Sequence, residues 1–411
     1  MSNERKQSKL DELLRELCPD GVEYRSIGNC TEKVKKIKWS TCGSNYAYID
    51  LTSVDRDTHK ITETQTINAN NAPSRAQQIV LKNDVLFATT RPTLMRYCLI
   101  EDKYDGQICS TGFCVLRANK DIVFPKWLFH VISSSEFCYY MEANQKGASY
   151  PAISDKEVMQ FKIPLPPLPV QREIVRILDK FTELIAELTA ELTARKKQYG
   201  YYRNKLLSFE NETSMQALGD VCDVVAGGTP SKKNSDYWNG GTIKWLGSTV
   251  CQNRKTVDDV TDYITEQGLA ESSAKVMKAG STLIALVGAT IGKTAYLPFE
   301  AAINQNIAGI YPKDTTTLDP SYVYYACTTL YSKFLALTQG SKLAMANISF
   351  VRSLQIPIPS LQVQKRLVQV LDNFDAICSD LKIGLPAEIE ARKKQYEFYR
   401  EKLLAFHEIS N

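Results

Sequence analysis

The 411-residue chain contains itself twice, and this constrains its fold more than any other feature. Residues 163–181 read Ile-Pro-Leu-Pro-Pro-Leu-Pro-Val-Gln-Arg-Glu-Ile-Val-Arg-Ile-Leu-Asp-Lys-Phe. Residues 356–374 read Ile-Pro-Ile-Pro-Ser-Leu-Gln-Val-Gln-Lys-Arg-Leu-Val-Gln-Val-Leu-Asp-Asn-Phe, an offset of 193. The run Ala-Arg-Lys-Lys-Gln-Tyr that opens at Ala194 recurs at Ala391, and both copies continue to a Leu-Leu pair before Phe209 and Phe406, an offset of 197. Fainter echoes flank these: Ser26-Ile27-Gly28 with Ala217-Leu218-Gly219, Val80-Leu81-Lys82 with Val276-Met277-Lys278, and Ile153-Ser154 with Ile348-Ser349. The chain therefore divides into a first domain over 1–162, a central region over 163–210, a second domain over 211–355 and a C-terminal region over 356–411. The shared regions are nearly copies while the domains have diverged. One common task is done twice, and two tasks of one kind are done differently.

The shared regions are predicted to be long helices. Pro164, Pro166, Pro167 and Pro169 read as a stiff extended lead-in. A helix over 171–208 follows, about 57 Å long at ~1.5 Å per residue. Its apolar seam runs Ile174, Leu178, Phe181, Ile185, Leu188, Leu192, Tyr199, Tyr202 and Leu206, with Arg195 as the one interruption. Steps alternating four and three are those of coiled-coil a and d positions. The second copy keeps Leu367, Leu371, Phe374, Cys378 and Leu381, meets Gly384-Leu385-Pro386, and resumes at Ile389, Tyr396, Tyr399, Leu403 and Phe406. The change of offset from 193 to 197 is a four-residue insertion, and with Gly and Pro there a break or kink is expected. Two matched seams need a partner, so the helices are expected to pair with each other as antiparallel coils. Within the first lies a short repeat, Thr182-Glu-Leu-Ile, Ala186-Glu-Leu-Thr, Ala190-Glu-Leu-Thr. One unit adds ~6 Å of helix and turns it ~40° beyond a full turn. About 1.8 base pairs of B-DNA rise equally far and turn by ~60°.

Between the helices, β-branched and aromatic runs such as 46–51, 84–89 and 282–287 are broken by Gly, Asn and Pro, which reads as strands. A helical stretch near 125–143 has its counterpart near 320–338. The expected class is α+β: two mixed, sheet-rich domains separated by two long helices. Loops rich in Lys, Arg, Asn, Gln and hydroxyls supply candidate nucleic-acid contacts. In the first domain these are Lys33, Lys35, Lys36 and Lys38 beside Trp39, then Arg91 and Arg96, then Lys146 and Tyr150. The second offers Thr229, Ser231, Lys232, Lys233 and Asn234, then Arg254 and Lys255, then Lys293, Gln305 and Asn306, then Lys342 and Asn347. Lys and Arg suit phosphates, while Asn, Gln and Arg can read base edges.

Composition excludes more than it selects. A net charge of +4 is compatible with a nucleic-acid partner without requiring one. Eleven cysteines include no Cys-x-x-Cys and only three histidines accompany them (His59, His130, His407), so no zinc site is expected and scattered thiols suggest a reducing compartment. A polar N-terminus and a longest apolar run of 282–291 lead to the expectation of a soluble, cytoplasmic protein with no membrane partner. The run Gly288-Ala-Thr-Ile-Gly292-Lys293-Thr294 has three residues between its glycines where a phosphate-binding loop needs four, and reads as a strand-to-strand turn. Asp319-Pro-Ser-Tyr322 reads as a helix cap rather than the Asp-Pro-Pro-Tyr of amino-methyltransferases. No Gly-x-Gly nucleotide loop occurs, so no catalytic residue and no metal ligand is assigned.

The Pro-rich lead-ins, the Gln171-Arg172 and Gln364-Lys365 helix starts and the Arg-Lys-Lys-Gln-Tyr helices resemble the two conserved regions of Type I restriction-modification specificity subunits. The stretch from Val225 through Gly-Gly-Thr-Pro to Gly247, and Lys278 to Ile284 followed by Gly288 to Lys293, resemble that family's target-recognition domains. The first domain has neither a Gly-Gly-Thr-Pro opening nor a Gly-Ala-Thr-Ile-Gly turn. The resemblance implies a non-catalytic subunit that recognises a bipartite, asymmetric site on double-stranded DNA, one half per domain. It also implies two modification subunits carrying S-adenosylmethionine for adenine methylation, and restriction subunits using ATP and Mg, with no cofactor on this chain. The alternatives are a stand-alone DNA methyltransferase, which lacks its cofactor loop here, and a structural coiled-coil adaptor.

Overall fold

Short strands and one very long helix emerge where these patterns place them. The computed structural model describes residues 8–209, 213–257, 260–338, 345–379 and 383–409. Contacts divide the chain into two units, Met1–Glu187 with Glu390–Asn411, and Leu188–Ile389.

The first unit holds β1 (Glu23–Ser26), β2 (Thr31–Glu32), β3 (Tyr46–Ile49), β4 (Gln65–Ile67), β5 (Ala76–Ile79), β6 (Val85–Ala88), β7 (Tyr97–Leu99), β8 (Ile108–Ser110), β9 (Phe113–Ala118) and β10 (Lys162–Leu165). They form sheets ordered β2-β9-β6-β7, β4-β3-β8-β5 and β1-β10. The second unit holds β11 (Met215–Ala217), β12 (Cys222–Ala226), β13 (Ile243–Leu246), β14 (Asp262–Ile264), β15 (Lys275–Met277), β16 (Thr282–Ala285), β17 (Thr294–Tyr296), β18 (Ala301–Ile303), β19 (Ile307–Pro312) and β20 (Gln355–Pro357). Its sheets are β12-β19-β16-β17, β14-β13-β18-β15 and β11-β20, so each strand repeats the one ten places earlier. Direction repeats too: β3–β8 and β13–β18 are parallel and all other pairs antiparallel. Central strands β6 and β16 are buried at every residue, because one face meets the helices and the other the second sheet.

In chain order the helices are α1 (Lys9–Leu17), α2 (Pro125–Ile132), α3 (Ser135–Asn144), α4 (Asp155–Gln160), α5 (Leu168–Leu207), α6 (Leu218–Val221), α7 (Glu266–Ala270), α8 (Pro320–Thr328), α9 (Tyr331–Thr338), α10 (Ile348–Ser353), α11 (Leu361–Ser379) and α12 (Leu385–Leu404). Each helical stretch foreseen near 125–143 and 320–338 is two helices, because Ser133-Ser134 and Thr329-Leu330 interrupt them. Asp319 caps α8 by accepting from the amides of Ser321 and Tyr322 at 2.8 and 3.1 Å, with Pro320 in the first turn.

The long helix α5 has 40 residues without interruption. It starts at Leu168, three residues before the expected Gln171, and the lead-in is not uniformly extended. Pro164 lies in β10, while Pro169 sits in the first turn of α5, where its missing N–H has no helical partner to lose. The break expected near Gly384 is present at Ile383 and Gly384, which form a turn just before α12 starts at Leu385. Leu381 lies outside the described residues.

Each unit pairs its own stretch of long helix antiparallel with another. In the first, Ile174 and Leu178 are buried in one core with Leu403, Leu404 and Tyr396 of α12, and Phe181 stacks on Tyr399 with centroids 5.3 Å apart. In the second, Tyr199 and Tyr202 flank Phe374 of α11 at 6.3 and 6.4 Å, and Leu206 and Leu207 share a core with Leu367 and Leu371. Both stretches also pack on the domain of their own unit. Of the remaining seam positions, Ile185, Leu188 and Leu192 are half-buried.

Candidate nucleic-acid interface

One glutamine in each copy fixes the domain to its helix. Gln171 is fully buried; its Oε1 accepts from the Phe124 amide at 2.8 Å, and its Nε2 donates to the carbonyls of Ile122 and Pro166 at 3.1 and 2.8 Å. Gln364 does the same: Oε1 accepts from the Asp319 amide at 2.8 Å, and Nε2 donates to Thr317 and Pro359 at 3.0 and 2.8 Å. A carboxamide is the one uncharged side chain class offering an acceptor and two donors in a plane. Beside each, an aromatic donor from the domain helix closes the joint: Trp127 Nε1 to the Pro164 carbonyl at 3.0 Å, and Tyr322 OH to the Pro357 carbonyl at 2.8 Å.

A second polar joint differs between the copies. In the first unit His130 bridges Asp179 at 3.2 Å and the Tyr396 hydroxyl at 3.0 Å, and Lys126 pairs with Asp179 at 2.6 Å. Burial pushes the His130 imidazole below its ordinary range, which the Asp179 carboxylate only partly offsets. Burial works to raise Asp179, but hydrogen bonds from His130 and Lys126 outweigh it and hold the carboxyl below its usual value. In the second unit Asp372 takes this place, accepting from the Tyr325 hydroxyl and from Lys255. Sequence reasoning does not assign these joints: it reads Gln171 and Gln364 only as helix starts, Tyr396 as a seam position and Lys255 as a nucleic-acid contact. The signal was there in Gln171 and Gln364, and in Asp179 and Asp372, identical pairs at the offset of 193.

The candidate contacts sort by what already holds them. Lys33, Lys35, Lys36 and Lys38 are exposed along a segment hydrogen-bonded to β5, with Val34 and Ile37 turned inward. Trp39 anchors its end through Nε1 to the Ala76 carbonyl at 2.8 Å. Arg91, Lys146 and Tyr150 come together: the Arg91 amide bonds the Pro151 carbonyl at 2.7 Å, its guanidinium lies 4.6 Å over the Tyr150 ring, and Lys146 and Ala152 exchange backbone bonds. Arg96, by contrast, donates to the Leu51 carbonyl.

In the second unit Ser231, Lys232 and Lys233 are exposed and Lys232 lies over Trp238 at 5.7 Å. Asn234 caps the next turn at the Asp236 amide, and Asn347 caps α10 at the Phe350 amide. Thr229 donates to Gln305 at 2.6 Å, joining two candidate segments. The Gly-Gly before it is a matter of space: a Cβ on Gly227 would lie 1.8 Å from the Ile303 carbonyl oxygen, and one on Gly228 2.1 Å from Ser273 Oγ. Arg254 is exposed beside a depression lined by Thr249, Gln252, Thr256 and Thr261. Lys255 turns inward to Asp372 and over the Tyr296 and Tyr325 rings at 5.5 and 5.1 Å. Lys293 and Asn306 are half-buried. Lys342 lies outside the described residues.

The first domain does have a turn like that of Gly288–Gly292. It follows β6 as the other follows β16, with Arg91 and Met95 at φ 50° and 47° where Gly288 and Gly292 have 69° and 73°. The sequence hid it because two bulky residues occupy left-handed positions that glycine normally fills.

Among the described residues no group of three or more His, Cys, Asp and Glu is placed to hold a metal, and no helix is long and apolar enough to cross a membrane. All eleven thiols are unpaired.

Fold and loops thus define a class: two sheet-rich α+β domains of one topology with a long helix between them. The family model for the Type I restriction modification DNA specificity domain matches residues 19–195 and 211–391, and the chain belongs to that family. It is similar to the Type I restriction enzyme EcoR124I/EcoR124II specificity subunit of Escherichia coli, 40% identical over 260 residues. That match covers 60% of this chain and 64%, just under two thirds, of the relative. A putative type I restriction enzyme specificity subunit of Haemophilus influenzae is 31% identical over 305 residues, covering 70% of this chain and 74% of that one. A chain solved in a study of complex assembly and conformational transition of the type I R-M system superposes with TM-score 0.66 at 26% identity, covering 94% of this chain and 98% of its own. The S subunit from M. genitalium, at 13% identity and TM-score 0.54, shares the fold.

Proposed function

We propose that this chain reads a bipartite, asymmetric site on double-stranded DNA, one half per domain, and that its helices set the distance between the halves. The observation that carries this reading is the pair of domains alike strand for strand but different in their loops, on one uninterrupted helix. A reader of two unlike half-sites needs one scaffold and two sets of side chains. The exposed basic and amide loops of each domain meet phosphates and base edges. Two modification subunits dock at the two shared helix regions and bring S-adenosylmethionine for adenine N6 methylation. Restriction subunits add ATP- and Mg-dependent translocation and cleavage, and this chain binds no cofactor itself. The assembly works in the cytoplasm. The modest net charge of +4 fits, since partners supply part of the phosphate contact.

Single-molecule methylome sequencing of cells expressing the chain with its modification partner tests the reading. The expected result is a split motif with methylated adenines in both halves. A contiguous motif, or methyl transfer by the chain alone, would overturn it in favour of a stand-alone methyltransferase.

A further inference from the structure

The strained turn after β6 is built around one arginine. Arg91 holds φ 50° and ψ 58°, the left-handed region, and is followed by Pro92, which disfavours helical backbone in the residue before it. The second domain fills the matching place with Gly288, which adopts that conformation without strain. Non-glycine residues held in so unfavourable a backbone cluster at functional sites, which points to the Arg91 side chain. The surroundings fix that side chain. The amide is tied to the Pro151 carbonyl at 2.7 Å, Pro92 is buried, and the guanidinium carbon lies over the Tyr150 ring, 4.6 Å from its centroid. Tyr150 is itself 72% exposed, so the pair projects from the surface. The guanidinium carries a fork of N–H donors able to form two parallel hydrogen bonds. Lys146 stands in the adjoining loop as a point charge suited to a phosphate.

Resting on the reading of this domain as a half-site reader, we infer that Arg91 is a specificity-determining residue that recognises one guanine of the first half-site through its O6 and N7. The fork of donors matches those two acceptors, and no other base presents them together in the major groove. Tyr150 positions the fork. The second domain, with Gly288 at the equivalent place, reads its half-site without this contact.

The test uses the full complex with its modification subunits and three chains: wild type, Arg91→Gly and Arg91→Lys. Glycine removes the guanidinium and relieves the backbone, so that variant is expected to melt no lower than wild type. Methylome sequencing should show one first-half guanine relaxed to other bases in both variants, with the second half and the spacer unchanged. Binding of duplexes carrying 7-deazaguanine at that position should fall on the order of 10-fold or more for wild type and little for either variant. A split motif left intact by both variants would overturn the inference while leaving the half-site reading in place. Uniformly weaker binding with no loss of base preference would also overturn it, making Arg91 a phosphate contact. A wild-type complex with no split motif would remove the half-site reading and this inference together.

Discussion

Gln171 and Gln364 make three hydrogen bonds each from fully buried positions, so their removal leaves several backbone groups without partners. Gln364→Ala is expected to destabilise the protein by about 2–4 kcal/mol, seen as a lower urea midpoint, and Gln171→Ala similarly. A change below ~0.5 kcal/mol would mean that water replaces the amide without cost. His59 and His130 give the protein a pH dependence of definite sign. Burial depresses both imidazoles, His59 to about 4. The unfolded chain therefore binds more protons below an ordinary histidine pKa of ~6.5, and their contribution to stability is full above that value. It is lost as pH falls towards the depressed folded values. The melting temperature should drop between pH 7 and 5, and less steeply in a His130→Gln variant; equal slopes would contradict the assignment. The repeat at an offset of 193 marks Gln171 and Gln364 as a pair, but the sequence shows neither a glutamine's partners nor a histidine's burial.

At the scale of elements, α11 separates two faces within one turn. Leu371 is fully buried in its unit's core, while Val370 is 37% exposed. Leu371→Ala should cost about 2–5 kcal/mol and Val370→Ala within ~0.5 kcal/mol, measured by denaturant unfolding. Comparable costs would show that something covers Val370. The internal repeat and the seam spacing made the long helices legible, because heptad periodicity is a property of order along the chain. The strands were legible as apolar runs but not their sheet order, which depends on pairing between distant segments. Pro169 misled, since position in the first turn decides whether proline breaks a helix. The Arg91 turn was invisible for the opposite reason, its conformation running against the preference of its residues. Among candidate contacts, residue type alone could not separate Lys255, drawn to Asp372, from exposed Lys232 and Lys233.

For the molecule as a whole, the division between the two units falls at Glu187 and Leu188, inside the short Glu-Leu repeat of α5. The proposed spacing role rests on that placement, since residues added there lengthen helix and change neither domain. The direct measurement is the methylated motif of cells carrying the chain with one additional Ala-Glu-Leu-Thr unit after Thr193. The expected motif keeps both half-sites and gains one or two base pairs between them, matching ~6 Å of added helix. An unchanged spacer, with the modified complex still active, would contradict the claim that the helix measures the distance between the two halves.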